Sequence, residues 1–393
     1  MVLLALLGAA PALTLRVELT QTGTVKLAGP VRILPAGGGA PLIVDQVAVS
    51  ADGGGLRSSG GTRWANGTRF EPFNSDTLAV TTGSTGRYRG AILLHAVGAR
   101  LAVVNQVDLE DYVRGVVPYE IDPDAQPAAL AAQAIAARGF AVFRLRAGDR
   151  RAPRADFTVA GTQAYRGTAR ENAGTNAAVN TTAGQVVLHG DELVESLYSD
   201  CCGGIVASAQ DAWNSPQAGL ASRWDRLVDS APRLDEAALG KWLSGTEDSW
   251  CRANPRYRWS RSLALSKALS AATSWAREHP SRGRPGTVRE LKVTGRSAAG
   301  RVTELTLRGD RGSATVRGDG MRWVLGDDED ALPSSLVRLS VEGGQLVCRG
   351  AGWGHGVGLC QTGAMAQAKA GRSAEQIIAF YYDGSRVAAL PAR

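Results

Sequence analysis

Val116-Val117-Pro118-Tyr119-Glu120-Ile121-Asp122, followed by an alanine-rich run from Pro127 to Leu145, is the stretch on which the reading of this chain turns. From Ala128 to Phe143 the only polar side chains are Gln133 and Arg138. A helix that is apolar on nearly every face belongs in a core. Ala131, Ile135, Arg138 and Val142 share one face, and Leu130, Ala134, Ala137, Ala141 and Leu145 the neighbouring one. An arginine there needs a partner, because an unpaired buried charge is costly; Glu120 is the expected one. Pro118 favours an extended backbone at Val117, and Pro127 suits a first helical turn. The expectation is a carboxylate presented on a turn between two helices.

Upstream, Asp108 reads as an N-cap, with Leu109, Tyr112, Val113 and Val116 at helical spacing behind it. Residues 13 to about 107 read as short strands between glycine turns, with Leu15 to Leu19 alternating at period two. Arg87–His95 and Ala99–Asn105 form a hairpin joined at Val97-Gly98, in which His95 is a strand-end residue without assigned role. Downstream, Asn172–Val179 reads as a helix between strands. Glu192–Tyr198 reads as a strand running into Ser199-Asp200-Cys201-Cys202-Gly203-Gly204, where glycines let a ligand approach the backbone. Residues 233–285 change character, with Trp242, Trp250, Trp259 and Trp275 punctuating helical stretches before a basic Pro/Gly linker. Strands resume at Val288, and two helices close the chain, the second opened by a Ser373/Gln376 capping box.

The 393 residues, 44% hydrophobic and 21% charged, specify a globular chain with a sizeable core. The net charge of +7 suits an anionic polymer such as cell-wall glycan, while the lack of a basic stripe with interleaved aromatics speaks against nucleic acid. Met1 to Ala12 is a short apolar run ending in Ala10-Pro11-Ala12, the small-x-small pattern of an export signal, although the usual basic segment is missing. No other run is long enough to span a bilayer. The expected compartment is outside the cytoplasm, secreted, periplasmic or wall-associated, and the five cysteines fit it. Their number is odd, and without a CxxC or a close Cys/His cluster a zinc site would need long-range convergence. No cofactor is expected. The glycine-rich Gly350–Ala364 stretch lacks the GxxxxGK[ST] pattern and offers His355 and Gln361 as its polar content; it reads as a binding loop or a structural turn.

Four segments together resemble the SpoIID/LytB family of stage II sporulation protein D and amidase-enhancer proteins: Val107–Glu120, Ala129–Arg138, Tyr198–Gly204 and Gly354–Gln361. The resemblance covers roughly residues 87–230 and 286–388 and ends with Tyr381-Tyr382-Asp383-Gly384. It implies an α+β, SpoIID-like fold with mixed short β-sheets, a buried central helix and an inserted helical subdomain. The expected division is a signal segment at 1–12, a β-rich region at 13–86, the core at 87–232 and 286–393, and the helical insertion at 233–285. The implied activity is lytic cleavage of peptidoglycan glycan strands, with Glu120 where the catalytic glutamate sits, Arg138 where an active-site arginine sits, and Tyr198 near the substrate. Ser199, His355 and Gln361 join the expected substrate-binding set. A tight cationic partner would hold Glu120 ionised, which opposes a general-acid role, so Arg138 either holds substrate or orients Glu120. The rival role is a non-catalytic enhancer that binds the wall and stimulates a separate amidase. Cys202 is expected to bond Cys251, Cys201 with Cys360 is a second candidate bridge, and Cys348 is the expected free thiol.

Overall fold

A computed structural model describes residues 13–148, 154–159, 162–226, 233–245, 248–326 and 331–392. The expected signal segment at 1–12 lies outside these residues. The fold is α+β. The chain divides into two compact units, residues 1–186 with 388–393, and residues 187–387. The chain therefore divides at Val186/Val187 and again at Val387/Ala388, inside the strands Gln185–His189 and Ser385–Ala389, and not at the expected 86, 232 and 285.

The first unit is built on an 11-stranded sheet. Thr14–Thr22 pairs antiparallel with Arg100–Asp108, which continues through a hairpin to Ala91–Val97. The hairpin turns at Gly98, whose φ of 60° lies where glycine is favoured. Alternation sets the burial: Leu15 and Val17 are fully buried between the more exposed Thr14, Arg16 and Glu18. Farther along the sheet, Val25, Leu27, Val31, Ile33, Phe70 and Leu94 form a core of their own.

Three helices follow the hairpin: α1 (Leu109–Glu120), α2 (Pro127–Arg146) and α3 (Ala173–Thr181). Asp108 caps α1 by accepting the Glu110 N–H at 2.8 Å, as the sequence leads one to expect. Pro118 does not end the helix. The helix runs on to Glu120, and Ile121 closes it by donating its N–H to Val117 O. A proline there removes only the bond to the Arg114 carbonyl, while Val113, Val116 and Val117 are all fully buried. Burial of each such side chain contributes ~1.5–3 kcal/mol, enough to hold the last turn in helical form. In α2, Leu130, Ile135, Ala137 and Val142 are buried, so this is the central core helix that its composition predicts. Among the described residues it is also the one helix long and apolar enough to cross a membrane, and two thirds of that window is buried in the protein.

The second unit contains α4 (Ala209–Trp213), α5 (Glu236–Ser244), α6 (Leu265–Glu278), α7 (Gln361–Lys369) and α8 (Ala374–Tyr381). Two of its three-stranded sheets order as Trp259–Ala264, Gln345–Gly350, Val337–Glu342 and as Val288–Arg296, Val302–Gly309, Gly312–Arg317. The expected helical insertion at 233–285 is not a separate body. Trp259–Ala264 alternates in burial and pairs antiparallel with Gln345–Gly350, and α6 packs Ala268, Ala272 and Ala276 into the core shared by both sheets. Ser373 and Gln376 form the expected reciprocal cap at the start of α8.

Candidate functional site

Glu120 is the last residue of α1 and is half-buried. Its Oε1 accepts the backbone N–H of Ala164 at 2.6 Å, which fixes the carboxyl on the packed end of the helix. Beneath it, Tyr112 is fully buried and donates to Gln163 Oε1 at 3.0 Å, while Gln163 in turn donates to the Ala137 carbonyl. The Tyr112 phenol is pushed far up, first by burial and then by the charge of Glu120, so it remains a neutral donor. Beside Glu120, the guanidinium groups of Arg166 and Arg170 sit over the Tyr119 ring at 5.7 and 5.3 Å. The carboxylate thus has a backbone donor and a buried phenol as neighbours, with two cations stacked on the adjacent Tyr119. None of Ala164, Arg166 and Arg170 was singled out from the sequence, because they lie on a loop with no local motif.

Arg138 pairs with Glu110 and not with Glu120. Its Nε and Nη2 donate to the two Glu110 oxygens at 2.8 and 2.7 Å, a bidentate fork. Nη1 donates to the Gln185 carbonyl at 3.0 Å, and the Gly184 N–H donates to the same carboxylate. The Arg138 side chain is fully buried. With its guanidinium sealed and engaged by protein groups, it is a structural residue and leaves the expected substrate-binding set. Arg138 is therefore not the cation that the sequence places against Glu120.

In the second unit the Tyr198 and His355 segments do come together. Tyr198–Ser199 pairs parallel with Leu359–Cys360. The His355 ring hydrogen-bonds to the Tyr198 backbone, and its Nδ1 accepts the Val357 N–H at 3.0 Å. Trp213, 43% exposed, lies with its ring centroid 5.2 Å from the imidazole. Burial lowers the His355 pKa to about 4, so the ring is neutral at pH 7. Tyr198 and His355 are half-buried, whereas Ser199 and Gln361 are buried and contribute to packing rather than to an open surface.

The cysteines depart from the expected pairing. All five are free and buried. Cys202 and Cys251 face each other at 3.6 Å without a bond. Cys360 joins them, accepting the Cys202 N–H at its sulfur at 3.3 Å, and the thiols of Cys251 and Cys360 also meet that of Cys201. Cys348 lies apart in the core between the sheets, where burial pushes its thiol up to about 11.

Residues 97–189 match the SpoIID family model, described as stage II sporulation protein, and residues 207–358 match a domain of unknown function, DUF8618. The chain thus carries a SpoIID domain, and Glu120 and Arg138 fall inside it. The chain is 25% identical over 335 residues to a protein named stage II sporulation protein D from Bacillus subtilis (strain 168), covering 80% of this chain and 85% of that one. It is 25% identical over 300 residues to a protein named amidase enhancer from the same organism, covering 70% of this chain but only 40% of the relative. A third relative, an uncharacterized protein of Brachyspira hyodysenteriae (strain ATCC 49526 / WA1), is 26% identical over 300 residues, covering 76% of this chain and 71% of the relative.

Proposed function

We propose that this chain remodels peptidoglycan outside the cytoplasm as a lytic transglycosylase, with Glu120 as its acid and base. The observation that carries the reading is the fixed, half-buried Glu120 carboxyl, anchored through one oxygen by the Ala164 N–H and separate from the Arg138–Glu110 pair. A protonated Glu120 gives its proton to the oxygen between N-acetylmuramic acid and N-acetylglucosamine as the C1–O bond breaks. The resulting carboxylate takes the proton of the muramoyl C6 hydroxyl, whose oxygen bonds to C1 and closes a 1,6-anhydro ring. Protons balance, no water is consumed, and a single carboxylate suffices, unlike the paired acids of a hydrolase. Arg166 and Arg170 supply positive charge for the acidic groups of the glycan or its peptides.

The second reading is a non-catalytic wall-binding protein that stimulates an amidase, favoured by the relative named amidase enhancer. Digestion of purified glycan strands, with and without stem peptides, separates the two. Anhydro-muramoyl ends in the mass spectrum, lost by about a hundredfold or more in Glu120→Gln, are the expected result. Full activity in that variant removes Glu120 from catalysis. Intact strands together with faster cleavage by an added amidase establish the second reading.

A further inference from the structure

Three cysteine sulfurs and one carboxylate oxygen converge inside the second unit. The ligand atoms of Cys202, Asp225, Cys251 and Cys360 all lie within 4.8 Å of one another, and all four residues are buried. These residues lie on separate segments of the chain, which the fold brings together. Cys202 follows the Tyr198–Ser199 strand, Asp225 directly follows the Arg223–Trp224 strand, and Cys360 immediately precedes α7. Cys251 sits in a turn whose next step is the Asn254 N–H donating to its carbonyl.

We propose that these four side chains bind one zinc(II) ion as a closed structural site. Thiolate-rich, four-coordinate donor sets select zinc, with Zn–S distances near ~2.3 Å and hence tetrahedral S···S edges of roughly 3.8 Å. The 3.6 Å between Cys202 and Cys251 matches such an edge. The outer contacts are those that orient metal ligands. Asp225 accepts the Tyr381 hydroxyl at 2.8 Å on Oδ1 and the Cys251 N–H at 2.9 Å on Oδ2, and the Cys202 N–H points at the Cys360 sulfur. Gly363 makes the approach possible, since a Cβ there would meet the Tyr381 hydroxyl at 2.0 Å.

A second observation is independent of the ligands. Arg301 is fully buried and donates Nη2 to the Cys202 and Ile205 carbonyls, yet its Nε and Nη1 have no hydrogen-bond partner among the described residues. Asp319 and Asp211 lend it some countercharge, but a buried guanidinium with two unpartnered nitrogens is still expensive. On binding, the three thiols and the Asp225 carboxyl coordinate as anions, any protons they carry passing to solvent, so the metal centre is anionic and adds negative charge beside Cys202, whose carbonyl Arg301 already holds. Gly356 leaves room for that guanidinium, because a Cβ would meet Nη2 at 2.1 Å; the glycine-rich segment around His355 is thereby pinned to the centre. Burial on every side makes the site structural, with no position open to substrate.

The test uses the full chain, purified without added chelator or reductant. Native mass spectrometry is expected to show one zinc per chain, with five alkylatable thiols after denaturation. Replacing zinc by cobalt(II) is expected to give thiolate-to-cobalt charge-transfer and tetrahedral visible bands. Cys360→Ser is expected to lose the metal and those bands, and Cys348→Ser, outside the cluster, to keep both. A metal-free chain whose mass shows a Cys202–Cys251 disulfide overturns the proposal, as does zinc retained unchanged in Cys360→Ser. The wild-type measurement decides even where the cluster variant fails to fold, and none of these readouts depends on glycan cleavage.

Discussion

Arg138 can be fully buried because all of its donor groups are spoken for within the protein. The fork to Glu110 takes two nitrogens, and the Gln185, Ala134 and Val179 carbonyls take what remains. Removing one member of such a pair costs about 3–5 kcal/mol, whereas replacing both by apolar residues is often neutral. Glu110→Gln is therefore expected to lower unfolding stability by roughly that amount in a denaturant titration, and Glu110→Leu with Arg138→Met to recover most of it. An Arg138–Glu110 pair that matters only to catalysis would leave the titration unmoved. The need for a partner is legible in the sequence, but proximity along the chain points to Glu120 whereas helix geometry points to Glu110. A short link between helices implies an antiparallel hairpin. At 1.5 Å per residue, Arg138 lies roughly 16 Å into α2, opposite the start of α1 where Glu110 sits, while Glu120 lies at the other end.

At the scale of elements, α1 carries the site and depends on one close contact. A Cβ on Gly115 would meet the Tyr165 ring at 2.6 Å. Tyr165 is buried, tilts against Tyr112 with centroids 4.9 Å apart and donates to Asn105 at 2.6 Å, tying the helix to the hairpin strand behind it. Gly115→Ala gains helix propensity but overpacks this contact. The expected net result is a loss of about 1–3 kcal/mol, read as a lower thermal midpoint, together with reduced glycan cleavage because Glu120 stands on the same helix. A variant at least as stable as the wild type would show that the ring can move aside. Glycine is a weak helix former, but the structure shows that this one sits where Tyr165 needs the space. Pro118 departs from its local preference for a related reason: the extended residue it favours gives way where burial of three valines keeps a helix.

For the molecule as a whole, acid sensitivity follows from His355. Its pKa falls from about 6.5 unfolded to about 4 folded because burial disfavours the imidazolium. The unfolded chain then binds the proton first, so this contribution is present above pH 6.5 and is lost as pH falls toward 4. The stability difference between the wild type and His355→Gln, measured by denaturant titration, is expected to shrink over that window; a difference independent of pH would exclude the imidazole as its source. Strand alternation, helix caps, the core helix and the motif carrying Glu120 were determined by the sequence itself, because each depends on residues within one or two turns. The division into units, the partner of Arg138, the strand within the expected helical insertion and the meeting of Cys202, Asp225, Cys251 and Cys360 were decided only by tertiary structure. Each of these joins residues that local spacing cannot relate, and burial and charge pairing select among such contacts only once the chain has folded.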